Sequence, residues 1–376
     1  MPQTRRSSDS SGALLRPAVI GVYAVFVLEI LFMISPFALH FYAAYGPVLN
    51  LLHASPSTAW LTSFFLPHYS TTGLFALDRL ATAGQLVALA GLAAFLIGFV
   101  HIYGAKLTGR GAVGGGLYRA VRHPQYTALV VAGVGTLMVW PRFLVLVSLV
   151  TMAFLYGWIA RREEALCRER FGEAYRAIEL RTGRFLPRAL EERLARLLPG
   201  RVLRGWRRAA TCAVALVLAV GIAFALRSWS LGKVSTLLRD DLAVVSPAPL
   251  DQERIASAVD LAIADQEVAR RVGDAEPLLV YVLPQSWHLA DIPAEPLPPG
   301  SHGHDTPSAF DRDRLKVLFT RARTHFPASR GREILLRSYG RDPLALAFVD
   351  LARGAVERVE QPMEHVLWGD IPTPLF

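Results

Sequence analysis

Gln125–Ala160 reads QYTALVVAGVGTLMVWPRFLVLVSLVTMAFLYGWIA, thirty-six residues with a single charge, Arg142, beside Trp140 and Pro141. As one helix at 1.5 Å per residue it would measure about 54 Å, against a hydrocarbon core of roughly 30 Å. Proline breaks a helix, and tryptophan and arginine collect at membrane interfaces. The stretch is therefore a tight helical hairpin that turns at Trp140-Pro141-Arg142 and brings its two ends back to one membrane face.

Further apolar spans flank the hairpin. Ala81–Tyr103 is a clean span, and Pro17–Phe41 is another, with Glu29 as its only charge. Residues 42–80 are broken by Gly46, Pro47, Pro56 and Pro67 and read as a loop with interfacial or re-entrant pieces, with a sixth span left open. Ala209–Leu226 closes the apolar half. Between the hairpin and that last span, residues 161–208 hold fourteen Arg and seven Glu but no Lys or Asp. Within them Ala189–Leu203 alternates Leu pairs with Arg and Glu, as an interfacial helix does. Residues 1–16, polar, Ser-rich and basic, are expected to be disordered. The first apolar stretch is too long for a signal-peptide core and reads as a retained anchor.

Charge divides the chain at the same place as hydropathy. Residues 1–227 carry a net +14 and residues 228–376 a net −5. The basic charge belongs to the membrane half, where it reports orientation and attraction to anionic lipid, so a nucleic-acid partner is excluded. With five spans, the N-terminus, the 106–122 loop and the 161–208 segment share one side, which the positive-inside rule makes cytoplasmic. The expected location is a bacterial inner membrane. The tail reads as an α+β module lying across it, with a helix over Asp251–Val272. Strands are expected at Leu278–Leu283, Lys316–Thr320 and Glu333–Arg337, and a hairpin pairs Leu344–Asp350 with Ala355–Glu360. The fold class is thus an all-α polytopic membrane bundle of about five helices with a C-terminal α+β extramembrane domain. Its expected parts are residues 1–16, 17–227 (core motifs 116–187) and 228–376.

Cys167 and Cys212 are the only cysteines and have no metal spacing. His302-Gly303-His304-Asp305, with His288 upstream, lies among Pro and Gly and reads as a polar loop, so no metal is expected.

Four short motifs surround the hairpin. Arg122-His123-Pro124-Gln125-Tyr126 precedes it, and Glu163-Glu164 follows as it leaves the membrane. Phe171-Gly172-Glu173-Ala174-Tyr175 comes next, and Arg184-Phe185-Leu186-Pro187 ends the series. Their order and spacing resemble the membrane methyltransferases of the isoprenylcysteine carboxyl methyltransferase and phospholipid N-methyltransferase family, over residues 116–187. Ala128 stands where that family often has Gly, and Ile178 where it often has a second Tyr. The resemblance implies S-adenosylmethionine as cofactor, held at the cytoplasmic face by His123, Pro124, Tyr126, Glu163 and Glu164. It also implies a lipid-like acceptor that enters from the bilayer.

The residue types suit that ligand. Carboxylates bind an ammonium group or ribose hydroxyls, and an aromatic face such as Tyr126 attracts a cation. Within the glycine-rich loop Gly109–Gly116, Gly114–Gly116 does not follow a strand, and reads as a mobile cover rather than a dinucleotide-binding turn. For an amino-lipid acceptor such as phosphatidylethanolamine, Glu164 is the candidate base; for a lipophilic carboxylate, Arg119 or Arg122 would supply the cation. Both arginines are equally readable as plain inner-face charges. Glu29 is either structural and protonated or part of the acceptor path. Amino-phospholipid N-methylation is favoured over carboxyl O-methylation. The competing readings are a membrane scaffold or sensor whose tail binds an unknown protein partner, and a membrane reductase using NADPH on a related core.

Overall fold

A computed structural model describes residues 9–44, 47–68, 70–108, 115–197, 206–292, 294–296, 299 and 303–364. Its helices are α1 (Asp9–Tyr42), α2 (Pro47–His53), α3 (Phe75–Asp78), α4 (Leu80–Leu107), α5 (Pro124–Val139), α6 (Phe143–Arg181), α7 (Arg188–Leu197) and α8 (Trp206–Leu231). Four of them, α1, α4, α6 and α8, are long and apolar enough to cross a membrane, and α5 is a shorter apolar helix of sixteen residues. Helix α1 begins at Asp9, so residues 9–16 are helical rather than disordered. Between α1 and α4 the helices are seven and four residues long, far too short for a sixth span.

Helices α5 and α6 form the expected hairpin, and its turn is fixed by backbone pairing. Phe64 bridges to Arg142, the Phe65 amide donates to the Pro141 carbonyl (2.8 Å), and the Phe143 amide donates to the Ser63 carbonyl (3.1 Å). Without a hydrophobic drive between helices in lipid, close backbone approach must supply the packing energy. Helices α4 and α5 achieve it with small residues. A Cβ at Gly91 would collide with the Ala132 amide and stand 2.7 Å from the Ala128 carbonyl. Ala128 is therefore accommodated at the family's Gly position because the glycine is on the facing helix. His40 ties in α1, with Nδ1 2.8 Å from the Ser148 hydroxyl on α6 and Nε2 3.1 Å from the Gly133 carbonyl on α5.

The tail forms a six-stranded sheet in sequential order: β1 (Ser235–Leu238), β2 (Leu242–Ser246), β3 (Leu278–Pro284), β4 (Arg314–Arg323), β5 (Gly340–Asp350) and β6 (Ala355–Glu360). All neighbours are antiparallel except β2 and β3, whose parallel pairing requires a crossover. Helices α9 (Gln252–Ile263) and α10 (Gln266–Val272) supply it. The expected single helix over 251–272 breaks because Asp265 caps α10, accepting from the Glu267 and Val268 amides. The helix pair covers the face of Val244, Val280, Val317 and Ala347. Alternate residues Val245, Leu279, Leu318 and Leu346 point to a second core with Leu231, Val234, Ile334 and Leu335. Glu333–Arg337, expected as a strand, lies in helix α11 (Arg332–Arg337), because a six-residue element with one short apolar run is too short to show a period. Strands β1 and β2 were not expected. Helix α8 runs four residues past the boundary drawn at Arg227, and Leu231 belongs to the sheet's core.

Site and tail occupy opposite ends of the bundle. Helix α5 is capped by His123 at one end and Trp140 at the other, and its sixteen residues span about 24 Å along the axis. The tail packs at the Arg142 end: the Thr71 amide donates to the Pro247 carbonyl (2.8 Å), His325 Nε2 meets the His53 carbonyl (2.7 Å), and Arg332 donates to the Ser228 carbonyl (3.0 Å).

Gly104 lies on α4 with nothing within 4 Å of an added Cβ, which makes it a control for Gly91. Gly91→Val should therefore lower the melting temperature of detergent-purified protein by an amount equivalent to ~1–3 kcal/mol or abolish monodisperse elution, whereas Gly104→Val should be nearly silent. Equal behaviour of the two variants would contradict the α4–α5 contact.

Candidate functional site

Three chain segments meet where the hairpin ends. Pro124 opens α5 at a position where a missing amide costs nothing, and His123 precedes it as the N-cap residue. Helix α6 bends at Gly172, whose φ of +51° is open to glycine and strained for other residues. The bend turns residues 173–181 back, so that Thr182–Phe185 runs beside Val121–His123. The Arg122 amide donates to the Gly183 carbonyl (2.9 Å) and the His123 amide to the Arg184 carbonyl (3.0 Å). Glu191 of α7 closes this strap by accepting from the Arg184 amide (2.8 Å).

Glu164 is at the centre, 1% exposed. Its Oε1 accepts from Arg122 Nε (2.9 Å) and Arg184 Nε (2.9 Å), and its Oε2 accepts from Arg184 Nη2 (2.5 Å). Arg168 Nη2 stands 3.6 Å from the same carboxylate and pairs with Glu179 beyond the bend (2.7 Å). Arg122 also donates Nη1 to the Thr182 carbonyl (2.5 Å) and the Glu179 carbonyl (3.2 Å). One buried carboxylate thus fastens α5, α6 and the strap together. Tyr175 of the third motif is buried within electrostatic range of it.

Glu163, next in sequence, has the opposite character. Its side chain is 43% exposed, accepts from the Tyr126 hydroxyl (2.6 Å), and stands 3.3 Å from His123 Nδ1. Tyr126 stacks between His123 (centroids 5.6 Å apart) and Tyr156 (4.7 Å), and the Tyr156 hydroxyl donates to the Met33 carbonyl on α1 (3.2 Å). An aromatic column therefore leads from the exposed carboxylate into the bundle. His123 Nε2 is 3.4 Å from Glu164 Oε1 but off the line of a hydrogen bond, and is buried without one.

The remaining sequence candidates separate. Glu29 is ion-paired with Lys106 in the last turn of α4 (2.5 Å), on the site's end of the bundle, and both Glu29 and Glu163 lie within electrostatic range of Tyr103 and Tyr126. Arg119 is exposed, with no polar partner among the described residues. Residues 109–114 of the glycine loop lie outside the described residues. Sequence reasoning assigned no role to Arg184, Glu179, Glu191 or Tyr156. Only Arg184 carried a signal, as the basic residue of the last motif.

Burial alone pushes the His123 imidazole down, but the Glu163 and Glu164 carboxylates outweigh it, and the group titrates above its ordinary value. The link it provides is complete below about pH 6.5, the ordinary pKa, and is lost as pH rises through the raised one. The melting temperature should thus fall as pH rises above about 6.5 more steeply in the parent than in His123→Asn. Parallel curves would show that the imidazolium contributes nothing.

No curated protein and no solved structure matches the chain. Residues 81–174, from the second residue of α4 through the Glu163–Glu164 pair, match the family model of the phospholipid methyltransferases. The segment that carries His123, Tyr126, Glu163 and Glu164 is thus similar to the phospholipid methyltransferase family.

Proposed function

We propose that the protein is an integral membrane methyltransferase that uses S-adenosylmethionine and methylates the amine of an amino-phospholipid such as phosphatidylethanolamine. The observation that carries this reading is the contrast between the two neighbouring glutamates: Glu164 is buried and engaged by arginines, while Glu163 is half exposed beside an aromatic column.

The residues fit the cofactor. His123, Tyr126 and Glu163 would hold it, the carboxylate toward an ammonium group or ribose hydroxyls and the aromatic faces toward a cation. His123 Nε2 is buried, 3.4 Å from Glu164 Oε1 and without a well-aligned hydrogen bond, so a ligand's polar atom could complete its partners. When bound, S-adenosylmethionine supplies an electrophilic methyl group on a sulfonium. Pro124 and Glu164 would act through backbone and scaffold rather than by touching it.

The acceptor follows from which charges are available. Arg122 is committed to Glu164 and two carbonyls, so it is not free to hold a substrate carboxylate. The half-exposed Glu163 suits a cationic headgroup instead, whereas Glu29 is already paired with Lys106. An ethanolamine-type amine has a pKa near ~10.4, and deprotonating it at pH 7 costs about 4–5 kcal/mol, so a base is useful. Both Glu164 oxygens already accept charge-assisted hydrogen bonds, and the base role moves to Glu163. Glu164 and Arg122, first assigned to catalysis, become positioning residues. Exposed Arg119 is left to contact the lipid phosphate. The basic residues around this end of the bundle favour a cytoplasmic site in a bacterial inner membrane, with the tail on the other side.

The test is methyl transfer from labelled S-adenosylmethionine to phosphatidylethanolamine vesicles and, separately, to a prenylated cysteine. Label should enter the amine, and Glu163→Gln should lower both S-adenosylhomocysteine affinity and transfer by about tenfold or more, ~1.4 kcal/mol. Label that enters the prenylated cysteine instead and is released by base as methanol, the mark of a methyl ester, would overturn the acceptor assignment. Failure of the folded parent to bind S-adenosylhomocysteine in calorimetry would overturn the cofactor.

A further inference from the structure

The histidine-bearing loop of the tail, which reads in sequence as a polar connection, meets the membrane half at one point. His288 and Asp305 pair through two backbone hydrogen bonds of 2.8 Å each, and this bridge draws Asp291 and His304 together. His68, from the segment between α1 and α4, completes a group of three. His68 Nε2 is 3.2 Å and His304 Nε2 3.8 Å from Asp291 Oδ2, and all three ligand atoms lie within 4.8 Å of one another.

We infer that His68, Asp291 and His304 bind one divalent transition-metal ion of the zinc class, clasping the C-terminal domain to the membrane half. A tetrahedral zinc with bonds of about 2.0–2.1 Å sets its ligand atoms roughly 3.3–3.5 Å apart, the scale of the spacing here. Two imidazoles and one carboxylate suit zinc and related divalent ions and leave a coordination position open. The side chains are 4%, 19% and 13% exposed, so water solvates them poorly and an ion would satisfy what burial leaves unsolvated.

The donors are held in place. His68 stacks flat on Phe64 (4.7 Å, 5°), whose ring also carries the Arg142 guanidinium at 4.4 Å. The two imidazoles meet edge to face, 5.7 Å between centroids. His304 Nδ1 accepts from the Ala290 amide (3.2 Å), which keeps the ring proton on Nε2 in the metal-free chain. Binding at Nε2 moves that proton to Nδ1, leaves the ring neutral, and gives up this one hydrogen bond. A neutral hydrogen bond is worth little beside a structural metal site. The Arg142 charge lies within electrostatic range of Asp291 and opposes the cation, which puts affinity below that of a thiolate site.

The test uses the full chain in detergent, stripped with a chelator and dialysed against zinc. Elemental analysis should find about one zinc per chain, with tetrahedral cobalt(II) absorption on substitution. His68→Ala, His304→Ala and the near-isosteric Asp291→Asn should each weaken zinc binding at least about tenfold while eluting as monodisperse protein. Zinc should raise the parent's melting temperature and leave that of Asp291→Asn unchanged. Where an alanine variant does not fold, Asp291→Asn and the parent's stoichiometry decide. A folded parent that takes up no zinc, or variants that bind it as the parent does, would overturn the site.

Discussion

A carboxylate taken out of water costs several kcal/mol unless charged partners surround it, and Glu164 has them. Arg122 and Arg184 both reach it and Arg168 stands close, one from the start of α5, one from the strap and one from the next turn of α6. Satisfying that one group fixes where α5 begins, where the strap runs, and how α6 bends at Gly172. The arginines are in turn used up, which decides what the rest of the site can recognise. Removing Glu164 leaves Arg122 and Arg184 facing each other without their shared carboxylate, a loss of up to about 3–5 kcal/mol. Such a network explains why Glu163, one residue earlier on the same helix, can remain exposed and available.

The second constraint is geometric. In lipid, helix contact depends on close approach, and the glycines of α4 let α5 sit against it with its His123 end at one face and its Trp140 end at the other. The aromatic column Tyr126–Tyr156 then lies between the mouth of the site and α1. Because the tail docks at the Trp140 end, it is separated from the glutamates by the length of α5. Its sheet is buried on both faces, one by α9 and α10 and the other in part by Leu231 and Val234, so bundle and tail are continuous in packing as well as in chain.

Much of this was legible in the sequence for physical reasons. An apolar run too long for one span, with Trp-Pro-Arg at its middle, dictates a hairpin, and a hairpin dictates that Arg122–Tyr126 and Glu163–Glu164 meet. The motifs marked residues but could not divide labour between adjacent glutamates, because which one faces the arginines depends on the helix's rotation and on a strap twenty residues on. Glu29 looked like a mid-bilayer charge until α4 placed Lys106 beside it. The Ile334–Leu335 pair was misread because a short buried helix has no period to show. His68, Asp291 and His304 are separated by more than two hundred residues at the widest, and no spacing rule joins them.

The claim that Glu164 is the fastening on which the site depends is tested most directly by a double-mutant cycle with Arg184, reading S-adenosylhomocysteine affinity and melting temperature together. The account predicts that Glu164→Gln and Arg184→Gln each cause large losses and that the double variant loses much less than their sum, with a coupling above ~1 kcal/mol. Losses that add to within ~0.5 kcal/mol would mean that the two side chains act independently, and the contact would not be what holds the site together.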